Sequence, residues 1–379
     1  MIILLFIIAI SVAVGCYVGV HHFTSLAEQQ KPFSRDYFVG LNYLLNEEPD
    51  KAVDVFTRLL HVDSETVETH LALGSLFRRR GEISRAIKIH QNLIARPQLS
   101  KDQRITSLVA LGKDYLHAGL VDRAEKLFLE ISALGDQPAI SLKYLLEIYQ
   151  QQKNWAEAIK VATQLKTKID ENMDAQIAHY HCELAQYYLS KKEIDSAISE
   201  LKKALRQDDQ CVRANLLLAE VELHAERYKS AIEIYQTILE QDKAFFSEAL
   251  PSLIKAYQKL GQELELVNFL NEKIAQMLSI SVILFLTDFK RKTEGDEKAI
   301  EFLIQQLHRY PSLKGLQYLV AWHLESTQQN EWLVIKELIQ HLLKHQPNYR
   351  CSQCGFKSNL LLWLCPGCKS WSCIKPVLN

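Results

Sequence analysis

One spacing dominates this chain. Ala52, Ala86, Ala124, Ala158, Ala197, Ala231 and Ala299 are separated by 34, 38, 34, 39, 34 and 68 residues, the last being twice 34. Other positions keep step with them. An aromatic residue stands nine places before five of the alanines, at Tyr43, Phe77, Tyr115, Tyr149 and Tyr188, and another stands four places after three of them, at Phe56, Phe128 and Tyr235. Leu-Gly occurs at Leu73-Gly74 and Leu111-Gly112. A unit of this length holds two helices and their turns. The alanine marks the place where the second helix crosses the first too closely for a larger side chain, and the aromatics fill the groove beside it.

The 34-residue period is that of tetratricopeptide repeats. Polar turns fall between the helices at Asn46-Glu47-Glu48-Pro49-Asp50, Arg80-Gly81-Glu82 and Lys191-Lys192-Glu193, while Pro97 and Pro311 close second helices because proline cannot continue them. Only 13 glycines and 9 prolines interrupt 379 residues, which agrees with an all-α chain. No hairpin buries its apolar face alone, so the hairpins must stack, and stacking predicts a superhelix with an extended face for holding another protein. The pattern is strong from Phe33 to about Lys243 and fades afterwards: a unit near 247–279 puts Glu265 in the alanine's place, and 313–346 is helical with few repeat markers. The reading is about eight or nine hairpins. The extra residues between Ala86 and Ala124, and between Ala158 and Ala197, read as longer turns.

Before the repeats, Ile2 to Val20 runs IILLFIIAISVAVGCYVGV, with no ionised side chain until Glu28. At about 1.5 Å per residue this spans close to the roughly 30 Å hydrocarbon core of a bilayer. A cleaved signal peptide is the competing reading, but the start has no Lys or Arg and no small-x-small site follows a short apolar stretch. The segment therefore reads as a transmembrane anchor. Lys31 and Arg35 follow it, a thin positive-inside signal that keeps the large carboxy-terminal part in the cytoplasm. Ser11, Gly15 and Gly19 lie four apart on one face, where small side chains let another membrane helix approach, although such residues are also common in any span.

Five of the eight cysteines crowd into the end of the chain, whereas Cys16, Cys182 and Cys211 are scattered singly. A disulfide framework would distribute them otherwise. Cys351-Ser-Gln-Cys354-Gly355 and Cys365-Pro-Gly-Cys368 form two CxxC pairs ten residues apart. Two such knuckles close a four-thiolate tetrahedral site around one metal ion, iron or zinc, with no open position for hydrolysis. A segment of about 30 residues cannot support itself by burial, so the metal supplies much of its folding free energy. Phe356, Trp363 and Trp371 read as its small apolar core, and Cys373 as a free thiol.

Nothing in the repeats forms a catalytic motif. His179, His181 and Cys182 lie close together and His341 and His345 are one helical turn apart, but histidines on helices are more often packed or solvated than ligating. Arg78-Arg79-Arg80 ends a first helix, where cations suit the helix dipole and face solvent. With 44 basic against 45 acidic side chains the net charge is −1, and no polyanion partner is called for.

The order of anchor, repeat array and four-cysteine knuckle resembles the lipopolysaccharide assembly protein B family of Gram-negative bacteria over essentially the whole chain. The stretches that carry the likeness are Ser34-Arg35-Asp36-Tyr37, the run HLALGSLFRRRGEISRAIKIHQ from His70 to Gln91, Cys182-Glu183-Leu184-Ala185, and RCSQCGF through WSCIKP at the end. Cys373 departs from the threonine usual in that ending. The resemblance implies a rubredoxin-like last module liganded by Cys351, Cys354, Cys365 and Cys368. It also implies an inner-membrane, non-enzymatic adaptor that regulates lipopolysaccharide synthesis by promoting degradation of the deacetylase LpxC by the protease FtsH, restrained by a second membrane protein at the anchor. A tethered rubredoxin-like electron carrier is the alternative. The expected division is an anchor over 1–20, a linker over 21–32, the repeats over 33–346 and the metal module over 347–379.

Overall fold

A computed structural model describes residues 35–46, 48, 51–56, 67–134, 138–169, 172–277, 279–326 and 330–377. The expected anchor, with Ser11, Gly15 and Gly19, lies outside the described residues. Among the described residues no helix is long and apolar enough to cross a membrane. The chain divides into two compact units, Met1–Leu145 and Leu146–Asn379.

The first unit contains α1 (Arg35–Leu45), α2 (Val67–Arg79), α3 (Ile83–Ile94), α4 (Lys101–His117) and α5 (Val121–Leu134), and the division falls inside α6 (Pro138–Gln151). The second contains α7 (Trp155–Ile169), α8 (Asp174–Ser190), α9 (Ile194–Gln207), α10 (Val212–His224), α11 (Tyr228–Gln241), α12 (Phe246–Leu260) and α13 (Glu263–Met277). It continues through α14 (Ile280–Glu294), α15 (Asp296–Arg309), α16 (Leu313–Ser326) and α17 (Asn330–Lys344) to three short strands.

The period has a physical cause at each crossing. All seven alanines are fully buried. Twelve residues before an alanine, a small residue on the first helix receives a ring from the second: Gly40 faces Phe56, Gly112 faces Phe128 and Gly74 faces His90. The turn inside six of the described hairpins has a common feature. Gly81, Gly119, Lys153, Lys192, Glu226 and Gly261 all adopt positive φ, each two residues before the second helix begins. That left-handed residue reverses the chain in a minimum of length.

Two expectations need correction. The longer intervals are not chiefly longer turns: α4 and α8 have 17 residues where α2 and α10 have 13, so one added helical turn supplies all of the extra length between Ala86 and Ala124 and all but one residue of that between Ala158 and Ala197. Glu265 is not the residue at the crossing either. α12 is two residues longer than α10 and the turn after it one residue shorter, a net gain of one, so the fully buried Leu266 takes the place.

Gly112→Ala tests the crossing directly. A Cβ there would lie 2.5 Å from Phe128 Cζ, and the ring is fully buried and stacked 4.8 Å from Tyr144. Overpacking of this kind costs about 1–3 kcal/mol. The urea midpoint of the variant is expected to fall with its m-value unchanged.

Candidate metal centre and its seat

The strands form a small antiparallel sheet in the order β2 (Lys357–Ser358), β1 (Tyr349–Cys351), β3 (Ile374–Pro376), with Cys351 opposite Ile374. Each CxxC pair is a tight knuckle of the same design. The residue after the second cysteine donates its amide to the carbonyl of the first, Gly355 to Cys351 at 3.1 Å and Lys369 to Cys365 at 2.9 Å, and both donors have positive φ. Gly367 is small for a reason of its own: a Cβ there would press to 3.2 Å from Cys354 Sγ.

The knuckles bring four sulfurs together. Cys351 Sγ lies 3.7 Å from Cys368 Sγ, Cys354 Sγ lies 3.6 Å from Cys365 Sγ, and all four are within 4.8 Å of one another. With metal–sulfur bonds of about 2.3 Å, a tetrahedron has edges of about 3.8 Å. The donor set and its dimensions therefore fit one zinc or iron ion. The amides of Gln353 and Cys354 both point at Cys351 Sγ from 3.4 Å. The Cys354 amide first, then that of Gln353, hold the Cys351 thiol down at about 6, so that this ligand is readied as a thiolate near neutrality. Cys373 is different: it is buried, its pKa is driven upward by that burial, and its thiol donates to the Ser370 carbonyl at 3.1 Å.

Phe356, Trp363 and Trp371 do not form the module's core, although the sequence predicts it, and Phe356 is exposed. That core is Cys351, Cys365, Cys373 and Ile374, with Tyr349 and Leu362 packed against it. Trp363 and Trp371 instead stand on either side of the second knuckle, held by the Ser372 amide on the Trp363 carbonyl, and face the repeats. Trp371 stacks 5.0 Å from His179 and meets the rings of Tyr180 and Trp155 edge-on at 5.7 and 6.3 Å. Trp363 stacks 5.3 Å from Phe245, with the Arg213 guanidinium 5.8 Å from its ring. Polar contacts close the edges: His179 Nε2 to Ser372 Oγ at 2.5 Å, the Tyr349 hydroxyl donating to Glu248 at 3.0 Å, and Lys375 paired with Asp242 at 2.8 Å. Burial, reinforced by Arg213, lowers His179 to about 3, so the ring in this stack is neutral. The seat is built from α8, α10 and the start of α12, the first helices of three successive hairpins, plus the first residue of α7.

Comparison with known proteins agrees with this geometry. The rubredoxin metal binding domain matches residues 349–376, and tetratricopeptide repeat families match residues 69–102 and 182–244. Lipopolysaccharide assembly protein B of Escherichia coli (strain K12) is 36% identical over 383 residues, covering 99% of this chain and 97% of that one. The chain belongs to the lipopolysaccharide assembly protein B family. The Haemophilus influenzae protein of the same name is 33% identical over 394 residues, covering 99% of this chain and 98% of its own. The lipopolysaccharide assembly protein B relatives thus match both ends of the chain as well as the repeats between them.

The other residues singled out in the sequence do not converge. His181 bonds Glu200 at 2.7 Å, His179 serves the module seat, and Cys182 faces Cys211. His341 and His345 contact each other at 4.7 Å between ring centroids on an exposed face. Arg78 is not a solvent-facing cation: its guanidinium reaches Asp114 at 2.6 Å, and the other oxygen of that buried carboxylate lies 2.5 Å from His90 Nδ1. The available signal was His90 itself, a polar ring four residues after Ala86 where other repeats carry Phe or Tyr.

Proposed function

We propose that this protein is a membrane-anchored, non-enzymatic adaptor in the regulation of lipopolysaccharide assembly, and that it holds the deacetylase LpxC for destruction by the protease FtsH. The observation that carries the reading is the seat itself. A four-cysteine module joined through two tryptophans to three successive hairpins is a structural piece of a protein-binding scaffold. In this reading Cys351, Cys354, Cys365 and Cys368 hold one structural metal ion, the repeats over 33–346 hold the client, and residues 1–20 span the inner membrane with the carboxy-terminal part on the cytoplasmic side. The small face of Ser11, Gly15 and Gly19 receives a regulatory membrane protein. The names of the relatives and the apolar run at Ile2–Val20 support the setting.

The test is LpxC abundance in cells expressing the full chain or a chain lacking residues 1–20. The full chain is expected to lower LpxC in an FtsH-dependent manner and the shortened chain to leave it high. Equal LpxC levels in the two strains would defeat the reading. A second reading, electron transfer by bound iron, draws on the exposure of Cys354 at the edge of the cluster. It fails if zinc-loaded protein lowers LpxC as well as iron-loaded protein does.

A further inference from the structure

Cys182 and Cys211 are 29 residues apart in the chain, yet their sulfurs lie 4.0 Å from each other across the contact between α8 and α10. The repeat does not require thiols here. The places corresponding to Cys182, fifteen residues before the crossing alanine, hold Leu71, Val109 and Leu216 in other hairpins. The two sulfurs also differ in surroundings. Cys182 is fully buried, and that burial drives its pKa up. Cys211 is the residue that caps the amino end of α10. The neighbouring Cys182 thiol holds Cys211 below the ordinary thiol range, while the Ala214 amide donates to the Cys211 carbonyl. Two residues beyond Cys211, buried Arg213 has two guanidinium nitrogens, Nε and Nη1, with no hydrogen-bond partner. A surface cleft of about 500 Å³ lined by Gln210, Asn215 and Gln241 opens beside this turn, while Cys211 itself is 2% exposed and lies outside the lining.

We infer that Cys182 and Cys211 form a peroxide-reactive dithiol that closes to a disulfide between two hairpins of the array. Cys211, as thiolate, attacks one oxygen of hydrogen peroxide. The O–O bond breaks, hydroxide leaves, and Cys211 becomes a sulfenic acid. The Cys182 sulfur then attacks the Cys211 sulfur. The S–S bond forms as the S–O bond breaks, and the hydroxyl departs as water with the Cys182 proton. Two thiols and one peroxide become one disulfide and two waters, with two electrons passing from sulfur to oxygen. Bond formation at about 2.05 Å requires the sulfurs to close by roughly 2 Å. The crosslink ties α8, which carries His179 and Tyr180, to α10, which carries Arg213, so it fixes the spacing of two helices that seat the metal module.

The experiment treats the full metal-loaded chain in detergent with graded hydrogen peroxide, blocks remaining thiols with N-ethylmaleimide, and digests with trypsin without reductant. Mass spectrometry is expected to find peptide 169–191 joined to peptide 207–213, two hydrogens lighter than their sum and separable by dithiothreitol. Cys211→Ser is expected to abolish the linked pair and to slow loss of the Cys182 thiol by about tenfold or more, because the nucleophile is gone. A rise in the midpoint of thermal unfolding that reductant reverses would add support. The inference is overturned if both thiols are recovered blocked by maleimide while peroxide consumes other cysteines. It is equally overturned if Cys211 ends as sulfinic acid without a crosslink, or if Cys182 is oxidised at the same rate in the Cys211→Ser chain.

Discussion

Stripping the metal from the carboxy-terminal module is expected to unfold residues 349–376 while leaving the helices of the repeats intact. The sheet holding the knuckles has three strands of two or three residues, and its buried side chains are chiefly cysteines. So small an apolar core does not offset the conformational entropy of ordering about 30 residues. Binding of a structural zinc ion contributes on the order of 10–16 kcal/mol at neutral pH. Without it the four sulfurs lose the centre they surround. Trypsin should then cut at Arg350, Lys357 and Lys369, with rates rising by about tenfold or more, and tryptophan emission should shift to the red as Trp363 and Trp371 enter water. Cys365→Ser, at the fully buried ligand, is expected to do the same. Unchanged cleavage after complete metal removal would show that the module stands by burial alone. Acid should act in the same direction. The Cys351 thiol is lowered to about 6, so the stability its thiolate contributes is complete above the ordinary thiol value of about 8.5 and is lost as pH falls through 6.

How much of this was open to a reader of the chain depends on how far each cause reaches along it. The crossing alanines and the paired knuckles are local or periodic, and a small residue every 34 positions or two CxxC pairs ten apart can be recognised without coordinates. The added turns in α4 and α8 read as loops in the sequence because an interval between two alanines does not say which element lengthened. The misplacement at Glu265 has a similar origin, since a lengthened α12 and a shortened turn together add one residue and shift the register of everything after them. The role of the tryptophans was out of reach for a different reason. Ser372 meets His179 across 193 residues of sequence, and neither neighbourhood has a pattern that names the other. A short cysteine module with two tryptophans reads by default as a module with its own aromatic core. Here the rings were outward-facing from the start, and the repeats supply what they bury against.

That arrangement separates folding of the module from its docking, and Trp371→Ala is expected to abolish docking alone. The ring touches His179, Tyr180 and Trp155, so its removal opens a cavity between the module and α8. Trp371 is half-buried, so its truncation costs less than that of a fully buried tryptophan, about 1.5–3 kcal/mol. At 1.4 kcal/mol per factor of ten this multiplies the undocked population by about 10- to 100-fold. The four thiolates are not disturbed, because Trp371 lies outside the cluster that surrounds them. The variant should therefore keep its full metal content by elemental analysis while amide exchange accelerates along α8 and around Phe245. Metal removal produces the opposite order of events, unfolding of the module first and loss of the seat as its consequence. If Trp371→Ala loses metal in proportion to its loss of protection, the seat is part of the metal centre's own stability. If exchange at α8 is unchanged, the stack at His179 contributes nothing to holding the module in place.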